Sequence, residues 1–159
     1  MDIKFMERCL ELAKAAYDKE EVPVGCVIVK NGEIIAESIN TKYGKKNVTG
    51  HAEMNAINIA SKRIGDWRLE DCDIYVNLEP CIMCGGAIYQ SRIKNVYYGA
   101  RDEKGGCFHS NLKLLSVKGL NHYPNVIGGI MEEESKELIK SFFREKRNLK
   151  KKTGGNNGV

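Results

Sequence analysis

The sequence predicts an α/β protein in which helices cover both faces of a mixed five-stranded sheet, giving three layers, α/β/α. Two observations predict this fold. Asn31-Gly32 separates two apolar, β-branched runs, which is typical of a β-hairpin. After the hairpin, runs of strand length alternate with segments of helical periodicity, which is typical of strand–helix–strand units. We expect residues 1–150 of the 159 to form one domain and residues 151–159 to form a disordered polar tail.

The individual elements follow from periodicity and from turn and capping residues. Apolar residues at steps of three and four predict a first helix from Asp2 to about Asp18. Thr49 is a good N-cap, so the second helix is expected to start at residue 50 or 51. The other expected elements are strands at 22–29, 33–39, 73–78, 95–99 and 125–130, helices at 81–91 and 132–150, and a short helix near Leu112.

The charge of the chain is unevenly distributed. The net charge is +4, yet residues 144–152 alone hold six basic side chains and one acidic side chain. This strip predicts either a phosphate-binding surface or a solvated helix end, where cations suit the helix dipole. No apolar run approaches the ~20 residues that span a bilayer, and the N-terminus lacks the apolar core of a signal peptide. We therefore expect a cytoplasmic protein with no membrane partner, whose six cysteines stay reduced.

Two short motifs supply the side chains of a zinc site. His51-Ala52-Glu53 and Pro80-Cys81-Ile82-Met83-Cys84 both open predicted helices, where the dipole lowers the pKa of a thiol. One imidazole and two thiolates make three ligands, and a catalytic zinc keeps its fourth position for water. We expect one Zn2+ per chain, bound by His51, Cys81 and Cys84, that lowers the pKa of water towards neutrality. Glu53 is then the nearby group that moves protons.

Other interpretations of these residues remain open at this stage. Zinc would be structural if Cys72 or Cys107 completed a four-ligand set, although Glu53 would then have no purpose. A C-x-x-C pair can also be a redox pair. Two further histidines, His109 and His122, are expected at the surface or against the substrate rather than on the metal.

The two motifs match the H-x-E…P-C-x-x-C signature of zinc-dependent nucleobase deaminases. From the first helix to about Arg147, the chain resembles the bacterial tRNA-specific adenosine deaminases of the cytidine-deaminase-like superfamily. Besides the zinc motifs, the segments that carry this resemblance include Glu21-Val22-Pro23-Val24-Gly25, Trp67-Arg68-Leu69, Leu78-Glu79-Pro80-Cys81, Gly99-Ala100-Arg101-Asp102 and Phe142-Phe143-Arg144.

The resemblance implies the fold of that superfamily and a homodimer that converts the wobble adenosine of a tRNA anticodon to inosine. Zinc-activated hydroxide would attack C6 with Glu53 as the proton shuttle, and ammonia would leave. The resemblance also implies that Asn40 hydrogen-bonds the adenine and that Asp102 contacts the RNA backbone. Phe143 and Arg144 would hold the anticodon stem. The chain departs from the family at His109, where a glycine is common, in a loop that the family uses near RNA.

Two other functions share parts of this pattern. The first is the same chemistry on a free base or nucleoside, such as guanine or cytosine, whose pocket would need no basic strip. The second is a non-catalytic zinc module that binds RNA or a protein. Such a module needs the metal but no proton shuttle, so the presence of Glu53 favours an enzyme.

Overall fold

The computed structural model describes residues 1–154, which form five strands and four α-helices. In chain order these are α1 (Ile3–Asp18), β1 (Gly25–Lys30), β2 (Glu33–Ile39), α2 (Ala52–Ile64), β3 (Cys72–Leu78), α3 (Ile82–Gln90), β4 (Asn95–Ala100), β5 (Asn125–Ile127) and α4 (Glu132–Gly154), with a 3-10 turn at Leu114–Ser116. The strands lie in the order β2-β1-β3-β4-β5. β1 is antiparallel to both of its neighbours, whereas β3, β4 and β5 run parallel. The predicted mixed five-stranded sheet is confirmed.

The hairpin between β1 and β2 turns at the residues that the sequence indicated. Asn31 and Gly32 have φ values of 52° and 76°, so both lie in the left-handed region. This is the backbone of a type I′ turn, whose twist matches the twist of the flanking strands.

Alternating side chains of the central strands build two hydrophobic cores, one on each face of the sheet. Val27, Tyr75 and Tyr97 pack with Phe5 and Met6 of α1. The side chains that alternate with these on the same strands point the other way and pack under α2 and α3; they include Cys26, Ile28, Ile74, Val76, Val96 and Tyr98. The central strands β1, β3 and β4 therefore bury both of their faces, as the middle layer of a three-layer α/β/α protein requires.

The second helix begins later than predicted, because His51 and not Thr49 is its N-cap. The Thr49 hydroxyl instead donates to Asn47 Oδ1, at 2.8 Å. The His51 side chain makes no capping hydrogen bond, since its ring faces Cys81 and Cys84. The preference for threonine as an N-cap did not predict the start of α2, because the residue at the N-cap position also contacts the two cysteines.

The C-terminal region also differs from the prediction. α4 continues to Gly154, so residues 151–154 of the expected tail are helical. The rest of that tail, residues 155–159, lies outside the described residues. None of the helices in the described part of the chain combines the length and the hydropathy that crossing a bilayer requires.

The sheet brings three loops together at one edge. β2, β3 and β4 end at Ile39, Leu78 and Ala100, and Leu78 and Ala100 are register partners. Gly25, at the start of antiparallel β1, pairs with Ile39 and so lies at the same edge. The segments after these three strands therefore converge outside their carboxyl ends, where open α/β sheets place their sites.

Candidate metal centre and active site

His51, Cys81 and Cys84 form one cluster of potential metal ligands. Their ligand atoms lie within 4.8 Å of one another, and His51 Nδ1 is 3.5 Å from each of the two sulfurs. In a tetrahedral zinc site with bonds of about 2.3 Å to sulfur and 2.0–2.1 Å to nitrogen, the N and S donors are about 3.6 Å apart. The donor set therefore fits zinc in both chemistry and spacing. Nδ1 is the ring nitrogen of His51 that faces the two sulfurs, a detail that the sequence left open.

The two helix starts account for this arrangement. His51 is the N-cap of α2, Cys81 is the N-cap of α3, and Cys84 lies in the first turn of α3. A hydrogen bond from the Cys84 thiol lowers the pKa of Cys81 to about 4, despite partial burial. The same hydrogen bond, together with burial, raises the pKa of Cys84. The lowered pKa of Cys81 favours its thiolate, the form that binds a metal.

The cluster has three donors within the described residues, and neither of the proposed fourth ligands joins it. Cys72 begins β3, whereas the site lies beyond the other end of that strand. Cys107 packs behind α3, where its sulfur would lie 2.3 Å from a Cβ atom added to Gly85. A set of three protein donors is typical of catalytic zinc rather than of a closed structural site.

Glu53 lies beside the cluster without belonging to it. Its side chain is 4% exposed, in the first turn of α2, and lines the same pocket as His51 and Cys81. Burial raises the pKa of Glu53 to about 7, and the charge of Cys81 adds to this effect. A carboxyl group with a pKa near neutrality can both accept and release a proton at working pH.

The pocket above the cluster has apolar walls and a few polar groups. Its lining residues include Val22, Val24, Asn40, Lys42, Tyr43, Ala52, Leu78, Glu79 and Asp102. Asn40 is 7% exposed, and its Oδ1 accepts a hydrogen bond from the Lys42 backbone N–H at 3.1 Å. The Nδ2 group of Asn40 is therefore the part that remains for a ligand. A small apolar pocket with a few placed polar groups suits a flat heterocyclic base.

Asp102 connects this pocket to a second groove. It lines both cavities, and its Oδ1 accepts hydrogen bonds from the backbone N–H groups of Lys104 and Gly105, at 3.2 and 3.1 Å. The groove continues along α4, where its lining residues are Lys136, Ile139, Lys140, Phe143 and Arg147. A row of basic side chains thus leads away from the pocket along one helix face.

Phe143 and Arg144 of α4, which the resemblance assigned to the same RNA contact, differ in their position relative to the groove. Phe143 is 42% exposed and lines the groove. Arg144 is exposed but is not among the residues that line it, whereas Arg147 is. Sequence reasoning did not single out Lys136 and Lys140. The helical steps from Lys136 to Lys140 and from Lys140 to Phe143 would have placed both lysines on the face of Phe143.

The two remaining histidines lie outside the donor cluster, as expected, and each makes a hydrogen bond within the protein. His109 is half-buried, and its Nδ1 shares a hydrogen bond of 2.6 Å with the buried Tyr98 hydroxyl. His122 Nε2 hydrogen-bonds the Ile93 carbonyl at 2.7 Å. His109, the residue that differs from the family pattern, is thus hydrogen-bonded to a side chain of strand β4.

Comparison with known proteins gives the class of protein to which this pocket and its cluster of potential metal ligands belong, the deaminases. The family of MafB19-like deaminases matches residues 2–147. A tRNA-specific adenosine deaminase of Bacillus subtilis is 45% identical over 150 residues, which cover 94% of this chain and 93% of the relative. The chain therefore belongs to the MafB19-like deaminases and, among them, to the tRNA-specific adenosine deaminases.

Two solved structures extend the comparison. A structure from work on A-to-I editing by tRNA:A34 deaminases superposes with a TM-score of 0.84 at 42% identity, over 86% of this chain and 99% of that one. Guanine deaminase from Bacillus subtilis superposes with a TM-score of 0.61, also at 42% identity, over 64% of this chain and 66% of that one. The match to the tRNA deaminase is thus the more extensive of the two, and the fold is of the cytidine-deaminase-like type.

Proposed function

We propose that this chain binds one zinc ion per chain through His51, Cys81 and Cys84 and hydrolytically deaminates the wobble adenosine of a tRNA anticodon to inosine. The observation that carries the proposal is the three-donor cluster with the buried Glu53 beside it in one pocket. The similarity to tRNA-specific adenosine deaminases over nearly the whole chain supports this substrate over other bases.

The side chains of the pocket have distinct tasks in this reaction. When bound, zinc supplies a water whose pKa is close to neutrality. Glu53 accepts a proton from the attacking water and passes protons to N1 of the ring and to the amino group that leaves C6. Water and adenosine thus yield inosine and ammonia. Asn40 Nδ2 donates a hydrogen bond to the ring and orients it. The apolar wall formed by Val24 and Leu78 holds the base and limits the access of other water.

The groove beside the pocket is the proposed seat of the RNA. Asp102 contacts the backbone next to the target nucleotide, and Phe143 with the basic side chains of α4 holds the anticodon stem. Extruding a base from a single-stranded loop costs less than extruding it from a duplex, because fewer stacking and pairing contacts are lost. Phosphate contacts made by lysine and arginine position the stem without reading its sequence. Because its substrate is tRNA, we expect the enzyme to act in the cytoplasm.

We also propose that the chain acts as a homodimer through the outer surface of the α2–α3 layer. Ile59 of α2 and Ile82 of α3 are 44% and 53% exposed, although both are large apolar side chains. Ile59→Glu should lower the mass that light scattering measures to that of one chain. Ile127→Glu, at a residue of β5 that is 54% exposed, is the matched control and should leave the mass unchanged. A wild-type protein that is monomeric at high concentration would exclude the dimer.

The substrate is tested by comparing an anticodon stem-loop with free adenosine and guanine as the concentration of salt is raised. An enzyme that holds phosphates should act far better on the RNA, and its KM for RNA should rise steeply with salt because bound counterions are released. A preference for free guanine, with no dependence on salt, would instead support the guanine deaminase alternative, which the second structural similarity favours.

A further inference from the structure

Three acidic side chains are buried within the described part of the chain, and all three lie around the catalytic pocket. Glu21, Glu53 and Glu79 are 3%, 4% and 2% exposed. Burying a carboxylate is costly unless its oxygens accept hydrogen bonds or the group has a function. Glu53 carries the proton transfer, so the burial of Glu21 and Glu79 requires another explanation.

Glu79 binds both ends of the loop that follows β4. Its Oε2 accepts hydrogen bonds from the backbone N–H groups of Phe108, His109 and Ser110, at 3.1, 2.8 and 3.2 Å. Its Oε1 accepts from the Asp102 backbone N–H at 3.2 Å and from the Ser110 hydroxyl. One carboxylate thus closes a loop of nine residues, 102–110, with Asp102 at one end.

The loop is also shaped around this carboxylate. A Cβ atom added to Gly106 would lie 2.4 Å from the Glu79 carboxylate and 2.7 Å from the Asp102 carbonyl oxygen, so that only glycine fits. Gly106 also forms a β-bridge with Cys81. The loop that carries Asp102 is therefore in register with the segment that carries a metal ligand.

Glu21 holds a second wall of the pocket in the same way. Its carboxylate accepts hydrogen bonds from the backbone N–H groups of Tyr43 and Gly44, at 2.6 and 3.3 Å. Lys42 and Tyr43 line the same pocket as Asp102. Each wall therefore has one buried carboxylate that binds backbone N–H groups.

We propose that Glu79 and Glu21 are positioning residues, whose carboxylates hold the loops 102–110 and 42–44 in the shape that RNA meets. They act through those loops rather than on the base. A loop that is ordered beforehand spares RNA binding the entropic cost of ordering it. The role of the loops in RNA binding rests on the proposed function, but their order in the free protein does not.

Glu79→Gln tests this directly, because the amide keeps one acceptor oxygen and turns its NH2 group towards backbone donors. We expect amide hydrogen exchange in 102–110 to accelerate by about tenfold or more, while exchange in 42–44 and the zinc content stay unchanged. KM for an anticodon stem-loop should rise on the order of tenfold, and kcat should change less. Glu21→Gln should accelerate hydrogen exchange in 42–44 and leave exchange in 102–110 unchanged.

The matched control is Glu33→Gln, at an exposed carboxylate at the end of the hairpin far from the site. This change should alter neither the hydrogen exchange of the two loops nor KM.

A double variant tests whether Glu79 acts through Asp102. If it does, Glu79→Gln combined with Asp102→Ala should raise KM about as much as the stronger single change, rather than by the product of the two. If the two changes instead raise KM independently, so that their effects multiply, Glu79 does not act through Asp102.

Unchanged exchange in 102–110 in Glu79→Gln would overturn the positioning role. Should that variant fail to fold, Ser110→Ala removes one donor to the same carboxylate and should give a smaller acceleration in 102–110; no acceleration there would equally overturn the role. A wild-type protein without activity on RNA would refute the proposed function. Faster exchange in 102–110 of Glu79→Gln would, even then, support the positioning of the loop by Glu79.

Discussion

At the scale of one residue, the burial of Glu53 suits the proton transfer of the reaction but lowers the stability of the folded chain at higher pH. Burial raises the pKa of this carboxyl to about 7, from an ordinary value of 4.5. A buried acid near neutrality suits proton transfer, but the folded chain must hold a carboxylate in an apolar pocket at higher pH. This leads to one prediction about catalysis and one about stability.

Glu53→Ala should slow catalysis by orders of magnitude while leaving zinc and fold in place. Glu53 lies outside the donor cluster, so its removal takes away the proton route and not a ligand. Loss of a positioned acid–base group costs about 10²–10⁴ in rate. Steady-state deamination, with zinc content measured on the same sample, checks this. Activity within tenfold of wild type would refute the role.

Glu53→Gln should stabilise the metal-free protein above neutral pH. Because the pKa of Glu53 is raised on folding, the folded chain binds its proton more tightly than the unfolded chain does. Its contribution to stability is therefore lost as pH rises from 4.5 through about 7. After chelation, the Tm of the variant should exceed that of wild type at pH 8, and the gap should close towards pH 5. A gap that does not change with pH would show that the carboxyl does not titrate in this range.

Cys84→Ala should remove most of the zinc, because two donors seldom hold the ion where three did. Cys26→Ala is a matched control, since Cys26 is also fully buried but lies in the core between sheet and helix. Metal analysis of both purified variants should give about one zinc per chain for Cys26→Ala alone. Full zinc retention by Cys84→Ala would refute the ligand assignment.

At the scale of one element, the two adjacent glycines of α3 have different roles. A Cβ added to Gly85 would lie 2.3 Å from Cys107 Sγ. Apart from its chain neighbours and the nearby backbone of its own helix, no atom of the described chain lies within 4 Å of a Cβ added to Gly86. Gly85→Ala should therefore destabilise the protein by about 1–3 kcal/mol through overpacking. Gly86→Ala should be neutral, or stabilising by up to ~1 kcal/mol. Thermal unfolding checks both, and Cys107→Ala should rescue Gly85→Ala; without that rescue, the clash is not the cause.

The face of α4 that lines the groove, rather than its basic end alone, should set the affinity for tRNA. Lys140→Ala and Arg147→Ala should each weaken binding and lower the slope of log K against log salt by about one per lost phosphate contact. Arg144→Ala should have less effect, because Arg144 does not line the groove. Lys30→Ala, at the opposite end of β1, is the control. A larger effect of Arg144→Ala than of Lys140→Ala and Arg147→Ala would instead support Arg144 as the main RNA contact of α4.

Removing residues 150–159 tests the basic end of α4 separately. The truncation should weaken tRNA binding and flatten its salt dependence, because fewer counterions are released. The rate on saturating RNA should change less than the affinity, since the sequence of that segment contains no histidine, cysteine or acidic residue. Unchanged affinity and salt slope would leave the strip as a solvated helix end.

At the scale of the whole molecule, the sequence predicted what depends on local pattern. The strands followed from apolar runs, and the hairpin followed from Asn31-Gly32, because turn chemistry and periodicity act over a few residues. The proximity of His51, Cys81 and Cys84 followed from motif spacing. The partners of Glu79 did not, since they lie 23 to 31 residues away and are backbone N–H groups that any residue can supply. The start of α2 was predicted too early because His51 has a tertiary role that capping rules do not include.

The central claim is that the pocket of this enzyme deaminates one particular adenosine in RNA. The most direct measurement is to incubate the zinc-loaded protein with a tRNA that carries adenosine at the wobble position and to sequence the product for inosine. We predict conversion at the wobble position, little at the other adenosines of the same tRNA, and none with Glu53→Ala. A wobble adenosine that stays unconverted while free adenosine or guanine is deaminated would contradict the account.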